Sequence, residues 1–163
     1  MKDQRDQLLT WLNDAYMMEL SVEEILLKHI NDMGELPSFR ARLARHVEET
    51  REHARSLEHC IQRLGGKTST VKNIIGEMMG RVQGLSTAMY RDEQVKNALA
   101  EYATEHFEIA CYESLIAAAD QLGEQEVVQV CREILAEEEA MAAWVRNQLP
   151  EVTMHFLRVQ PVA

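Results

Sequence analysis

Apolar residues recur every three to four positions along most of the chain. The first stretch places Leu8, Leu12, Ala15, Val22, Leu26, Ile30 and Met33 on one stripe. The last does the same with Val127, Cys131, Ile134, Leu135, Met141, Ala142, Val145 and Leu149. That spacing marks an amphipathic helix, whose apolar positions return every three or four residues. Alternation at period two is nowhere sustained. The intervals are filled with Ala, Leu, Glu, Gln, Arg and Met, which all favour helix. The pattern predicts an all-α chain.

Glycine and proline divide the chain into segments. The first runs from about residue 3 to 33 and stops near Gly34. The second starts near Pro37, suited to a first helical position, and stops at Gly65-Gly66. Thr68 or Ser69 can cap a shorter segment that reaches about residue 90. It carries Gly76, Gly80 and Gly84, spaced by four, and three glycines at about 1 kcal/mol each suit a weak connecting helix. The third segment runs from near Asp92 to Gly123, and the fourth from near Glu124 to just before Pro150. Residues 151–163 show no clear pattern. Four long helices and a connector predict a helical bundle over residues 1–149 with a C-terminal tail over 150–163. The stretch from Gly65 to Asp92 is long enough to cross such a bundle from end to end.

Composition narrows the partners. The 163 residues fit one domain, and 46% of them are hydrophobic, which supports a core and argues against disorder. Acidic residues outnumber basic ones 27 to 17, a net charge of −10. A protein that coats nucleic acid needs the opposite sign, so nucleic acid is not an expected partner. No apolar run approaches the roughly 20 residues that span a bilayer, so no membrane partner is expected. The charged start, Met1-Lys2-Asp3-Gln4-Arg5-Asp6, leads to no signal-like apolar stretch, and a cytoplasmic protein is the expectation. Cys60, Cys111 and Cys131 lack the spacing of a metal motif and read as reduced core residues.

Charge on the apolar stripes changes the picture. Glu19 sits at the centre of the first stripe and Glu138 at the centre of the fourth. The second stripe contains Phe39, Leu43, His46, Val47, Thr50, His53, Ala54, Leu57, Ile61 and Leu64, with Glu49 on its flank between the two histidines. The third segment is ambiguous. Val95, Leu99, Tyr102, His106, Ile109 and Ala110 form one face, and Glu105, Glu108, Tyr112, Leu115 and Ala119 form another. Burying a carboxylate without a partner is costly, and Arg and Lys fall mostly outside these stripes. A metal ion supplies the missing positive charge. Oxygen ligands with some imidazole suit iron or manganese, and admit zinc. The plainer readings are a water-bridged or paired glutamate, a core histidine, and an ordinary surface pair between Glu49 and His53. His29, His59 and His155 read as surface or packing residues, the methionines as core filling, and the run Glu137-Glu138-Glu139 as solvated except at Glu138.

Several stretches also carry a family likeness. Leu12 to Glu19, reading Leu-Asn-Asp-Ala-Tyr-Met-Met-Glu, resembles the opening helix of the YciE/YciF-type ferritin-like family, domains of unknown function. His46-Val47-Glu48-Glu49-Thr50-Arg51-Glu52-His53 resembles its second-helix motif. Glu105-His106-Phe107-Glu108-Ile109-Ala110-Cys111-Tyr112 resembles its third, continuing through Leu122-Gly123, and Ile134-Leu135-Ala136-Glu137-Glu138-Glu139 its fourth. The likeness covers most of residues 8–148. The chain is also similar to the more distant rubrerythrins, whose third helix carries Glu-x-x-Glu, as in Glu105 and Glu108. The resemblance implies a ferritin-like four-helix bundle with a long connection between the second and third helices. It implies Glu19, Glu105, Glu108 and Glu138 as carboxylate ligands and His53 as an imidazole ligand, with Tyr16 and Tyr112 placed to bond those carboxylates. Two positions depart from the usual Glu-x-x-His pattern. Thr50 stands three residues before His53, so that Glu49, or His46, has to serve instead, and Met141 stands three residues after Glu138.

The expected function is therefore a ferritin-like metal-binding protein with a dinuclear iron or manganese carboxylate site formed by Glu19, Glu49, His53, Glu105, Glu108 and Glu138. It would act on a small oxidant such as oxygen or peroxide in a stress-linked role, as a homodimer. The alternative is a non-catalytic dimeric bundle, a structural or interaction protein with a vestigial site, in which the apolar stretch Ile109 to Ala119 supplies the interface. Iron storage would need a hollow cage, which nothing in the sequence specifies.

Overall fold

The structure is a computed structural model that describes residues 2–68 and 91–159, with side chains from residue 4 onward. The described residues form four helices: α1 (Lys2–Asp32), α2 (Pro37–Arg63), α3 (Glu93–Gln121) and α4 (Gln125–Val159). The expected boundaries hold at most ends. Pro37 opens α2, where its fixed φ suits helix and its missing N–H costs nothing. Gly65 and Gly123 follow the ends of α2 and α3 with φ of 81° and 74°. That left-handed turn lets Gly66 N–H reach Ile61 C=O and Glu124 N–H reach Ala119 C=O, satisfying carbonyls the helix ends leave open. The short segment expected from Thr68 or Ser69 to about residue 90, with Gly76, Gly80 and Gly84, lies outside the described residues.

One boundary is corrected. The fourth helix does not end before Pro150 but runs through it to Val159. An interior proline costs about 3 kcal/mol because it forfeits one bond and crowds the carbonyl one turn earlier. Burial offsets that cost: Val152 is buried beyond the proline. Trp144, nearly two turns before it, packs edge-on against Phe39 at 5.0 Å. The Thr153 hydroxyl donates to Leu149 C=O at 2.8 Å.

Side-chain contacts fix the topology. α1 runs against α3, with Asp32 beside Asn97 and Glu19 beside Tyr112. α2 runs against α4, with Phe39 beside Trp144 and Arg63 beside Glu126. α2 therefore ends at the base of the bundle, where Gly66 lies against Leu9, while α3 begins at the top beside Asp32. The two ends joined by the long connection stand at opposite ends of the bundle. α1 packs closely on α2, and α3 on α4. The two hairpins meet more lightly along α1–α3 and α2–α4. Leu8, Leu12, Leu57, Ile61, Val128 and Cys131 fill the base of the core, and Met33, Phe39, Leu43 and Val145 its upper part. No helix among the described residues is long and apolar enough to cross a membrane.

Candidate metal centre

Between the two apolar ends lies a polar layer to which all four helices contribute. α1 supplies Glu19, α2 supplies His46, Thr50 and His53, α3 supplies Glu105 and Glu108, and α4 supplies Glu138, all of them buried. Helical spacing puts them there. His46, Thr50 and His53 sit at steps of four and three on one face, and Glu105, Glu108 and Tyr112 do so on another helix. The two faces left open on α3 are thereby resolved. Glu105, Glu108 and Tyr112 point inward, while His106 is exposed and stacks edge-on against Tyr102 at 4.5 Å.

The layer contains two sets of donors. Glu19, His53 and Glu138 bring ligand atoms within 4.8 Å of one another, as do His46, Glu105 and Glu138. Glu138 belongs to both. Its Oε1 lies 2.9 Å from His53 Nδ1 and its Oε2 lies 3.4 Å from His46 Nε2. His53 Nδ1 is 3.5 Å from Glu19 Oε2, and His46 Nε2 is 3.3 Å from Glu105 Oε1. These distances come without hydrogen-bond alignment. Glu19 Oε2, His46 Nε2, His53 Nδ1, Thr50 Oγ1 and both oxygens of Glu105, Glu108 and Glu138 are buried with no hydrogen-bond partner. Among the described residues, only His155 Nε2 shares that condition outside this layer. Buried polar atoms are normally paired, so such a concentration in one layer calls for a common partner.

The groups around the layer orient it. Tyr112 O–H donates to Glu19 Oε1, leaving Oε2 turned inward. The outer ring nitrogen of each histidine meets a carboxylate at 2.8 Å: His46 Nδ1 meets Glu49 Oε2, and His53 Nε2 meets Glu137 Oε2. Glu49 is held in turn by Arg42 at 2.9 Å and Arg45 at 3.4 Å. Each imidazole thus has one nitrogen fixed outside and one presented inside, the usual arrangement around a metal-binding histidine.

Electrostatics point the same way. Burial, reinforced by the Glu138 charge, pushes Glu19 and Glu105 above the ordinary carboxylate range. Burial also drives Glu108 up, helped by Glu138, Glu19, Glu105 and Glu101. Glu138 goes the other way: burial opposes its charge, but His53 and His46 outweigh it. Burial favours neutral imidazoles, yet Glu105 and Glu49 raise His46 to about 10, and Glu138 and Glu19 raise His53 to about 11. Without a metal, protons supply the counter-charge: two imidazolium rings face Glu138, and the other three carboxyls are pushed toward their neutral form, places a bound cation would take over. Hard oxygens with two imidazoles fit iron, manganese or zinc.

The structure brings together Glu19, His53, Glu105 and Glu138 in the donor sets. Glu108 is buried in the same layer but in neither set. Glu49 lies behind His46 with 24% of its side chain exposed, and His46 takes the inner place left open between them. Tyr112 bonds a carboxylate as expected, whereas Tyr16 is half-buried against the core. Two features were missed. Glu137, read as solvated, is 53% exposed yet bonds His53. His29, read as surface or packing, is buried against Glu101. The His29–Glu101 pair carried a signal, since Glu101 precedes Glu105 by one turn and His29 follows Leu26 by three residues.

Comparison with known proteins agrees with this architecture. The model of a family described as Domain of unknown function (DUF892) matches residues 3–158. A crystallised protein from Xanthomonas campestris pv. campestris is 33% identical with a TM-score of 0.82, over 96% of this chain and 97% of that one. The E. coli stress protein YciF is 22% identical with a TM-score of 0.76, over 98% and 100%. A ferritin-like diiron-carboxylate protein from Bacillus anthracis str. Ames is 20% identical with a TM-score of 0.72, over 91% and 99%. The fold is ferritin-like, and its buried carboxylate and histidine groups are of a kind that can hold a metal.

Proposed function

Given that the chain belongs to the YciF-type ferritin-like family described as Domain of unknown function (DUF892), we propose that its central layer is a dinuclear metal centre. The observation that carries this reading is the convergence on one layer of buried oxygens and ring nitrogens that lack a hydrogen bond. Glu19 and His53 would hold one ion and His46 and Glu105 the other, with Glu138 common to both donor sets and Glu108 available from the same layer. Glu49 is then a positioning residue rather than a ligand. His46 provides the second nitrogen that Met141, in place of a histidine, does not. Iron is the preferred ion, as in the name of the Bacillus anthracis relative, with manganese or zinc as alternatives.

Bound iron would supply one-electron chemistry with a small oxidant such as oxygen or peroxide. The chain's own contribution is to hold and shield. Tyr112 fixes Glu19, Glu49 and Glu137 fix the two imidazoles, and the apolar layers above and below exclude water. A stress-linked role follows the name of the YciF relative, and a homodimer is the proposed assembly.

Elemental analysis of protein purified without added metal tests the centre. Two ions per chain are expected, abolished by Glu138→Ala because that carboxylate serves both. Fewer than about 0.2 ions per chain, unchanged in Glu19→Ala/Glu138→Ala, would sink the proposal. A higher melting temperature in that double variant would then favour the non-catalytic structural bundle, relieved of buried charge.

A further inference from the structure

The polar face of α3 does not stop at the central layer. Asn97, Glu101, Thr104, Glu105, Glu108 and Tyr112 are all buried and follow one another at helical spacing from the top of the bundle to its middle. Facing them on α1, His29 is 6% exposed and its Nδ1 meets Glu101 Oε1. Above that pair, the half-buried Asp32 approaches Asn97, Oδ2 to Nδ2 at 3.5 Å.

Stability alone does not account for this stripe. A buried ion pair loses in desolvation most of what it gains in attraction, and apolar residues of similar volume serve as well or better. Leu26 and Met33, which flank His29 on α1, are apolar and fully buried. Glu101 instead continues the chemistry of the centre. Its charge reaches Glu108, whose two carboxylate oxygens are buried without a hydrogen-bond partner. Carboxylates therefore succeed one another from the half-buried Asp32, through Glu101, to Glu108. They do so along the seam between α1 and α3, one of the two seams where the hairpins meet lightly. On the opposite side, the ring of His53 closes the layer against Glu137.

We infer that the α1–α3 side carries the entry route for divalent cations, with Glu101 and His29 as a transfer site between Asp32 at the bundle end and Glu108 at the centre. This rests on the reading of the central layer as a metal centre. A route needs sites that attract a cation and release it again. His29 and Glu101 belong to neither three-donor group, so a cation there meets two protein donors and moves on to the richer set below. The Glu101 carboxylate, in surroundings of low dielectric, draws the cation in.

Cobalt(II) uptake by the metal-free full chain tests the route, followed by stopped-flow absorption of the ion's visible bands. Glu101→Leu and His29→Leu keep the volume and remove the polar station. Glu101→Gln removes the charge alone and serves if the leucine variants fold poorly. The expected result is loading slowed by at least about tenfold, with the final cobalt content and final spectrum as in the wild type. A merely structural pair would shift the melting temperature and leave the loading rate alone. Rates within about twofold of the wild type would overturn the route while leaving the metal centre intact. So would a reduced final cobalt content in Glu101→Gln, which would make Glu101 a ligand of the centre. Slowing in Glu137→Gln but not in the Glu101 variants would place the entrance on the α2–α4 side and overturn it equally. A wild type that takes up no cobalt overturns both the route and the centre it serves.

Discussion

Near the base of the bundle Leu8, Leu12, Leu57, Ile61, Val128 and Cys131 meet as apolar side chains with nothing left to satisfy. About two turns higher, all four helices turn Glu19, His46, His53, Glu105, Glu108 and Glu138 inward, and most of their inner polar atoms lack an aligned hydrogen bond. The lower layer is stabilised by removing apolar surface from water and needs only the chain itself. The middle layer costs desolvation of its charged groups, which its own imidazoles offset only in part. Apolar layers on either side let the bundle carry such a section, and the section fixes where chemistry can occur.

Four measurements bear on this contrast. Leu57→Ala should cost about 2–5 kcal/mol in urea unfolding, equally in metal-free and metal-loaded protein. A loss that shrinks when iron is added would show that the two layers are not independent. Metal should act only on the middle layer. At a thousandfold excess over Kd it should add about 4 kcal/mol, or roughly 10 °C in melting temperature for a chain of this size. Glu138→Ala should erase that increment, and a shift that survives it would place the ions elsewhere. Glu49→Gln and Glu137→Gln should each weaken metal affinity about 10- to 100-fold in a chelator competition, because the inner nitrogen of each histidine depends on its outer bond. Unchanged affinity would make these contacts incidental. The smallest effect should come from Thr50→Val. Removing a buried hydroxyl without a partner should stabilise the metal-free protein by about 1 kcal/mol, and a loss would mean that the hydroxyl is bonded.

The helices were legible because glycine, proline and the apolar period all mark the same ends. Only Pro150 misled, since burial of Val152 beyond it outweighs a local preference that sequence alone displays. Glu19 and Glu138 were legible for the same reason as the core, being polar exceptions on clean stripes. α3 was not, because both its faces meet something: one meets the polar interior, the other the half-buried surroundings of Tyr102 and Phe107. Family likeness, not period, favoured Glu105 and Glu108 there. His46 against Glu49 could not be decided from spacing, since two turns separate His46 from His53 and one turn separates Glu49 from it, and both return close to its face. The side-chain contacts separate them, with the arginines holding Glu49 outside. Glu137 escaped notice because a half-exposed residue leaves no trace in a pattern of burial.

Both nitrogen donors, with Glu19, belong to the first hairpin, and the remaining carboxylates Glu105, Glu108 and Glu138 belong to the second. Either hairpin by itself holds an incomplete and differently charged half. Replacing or losing either hairpin would break up the donor set, and the long connection keeps the two halves in one chain. A designer faces the same bond from the other direction. Two separately made hairpins would carry, in their complementary halves, the instruction for which partner to choose and an ion to seal the choice.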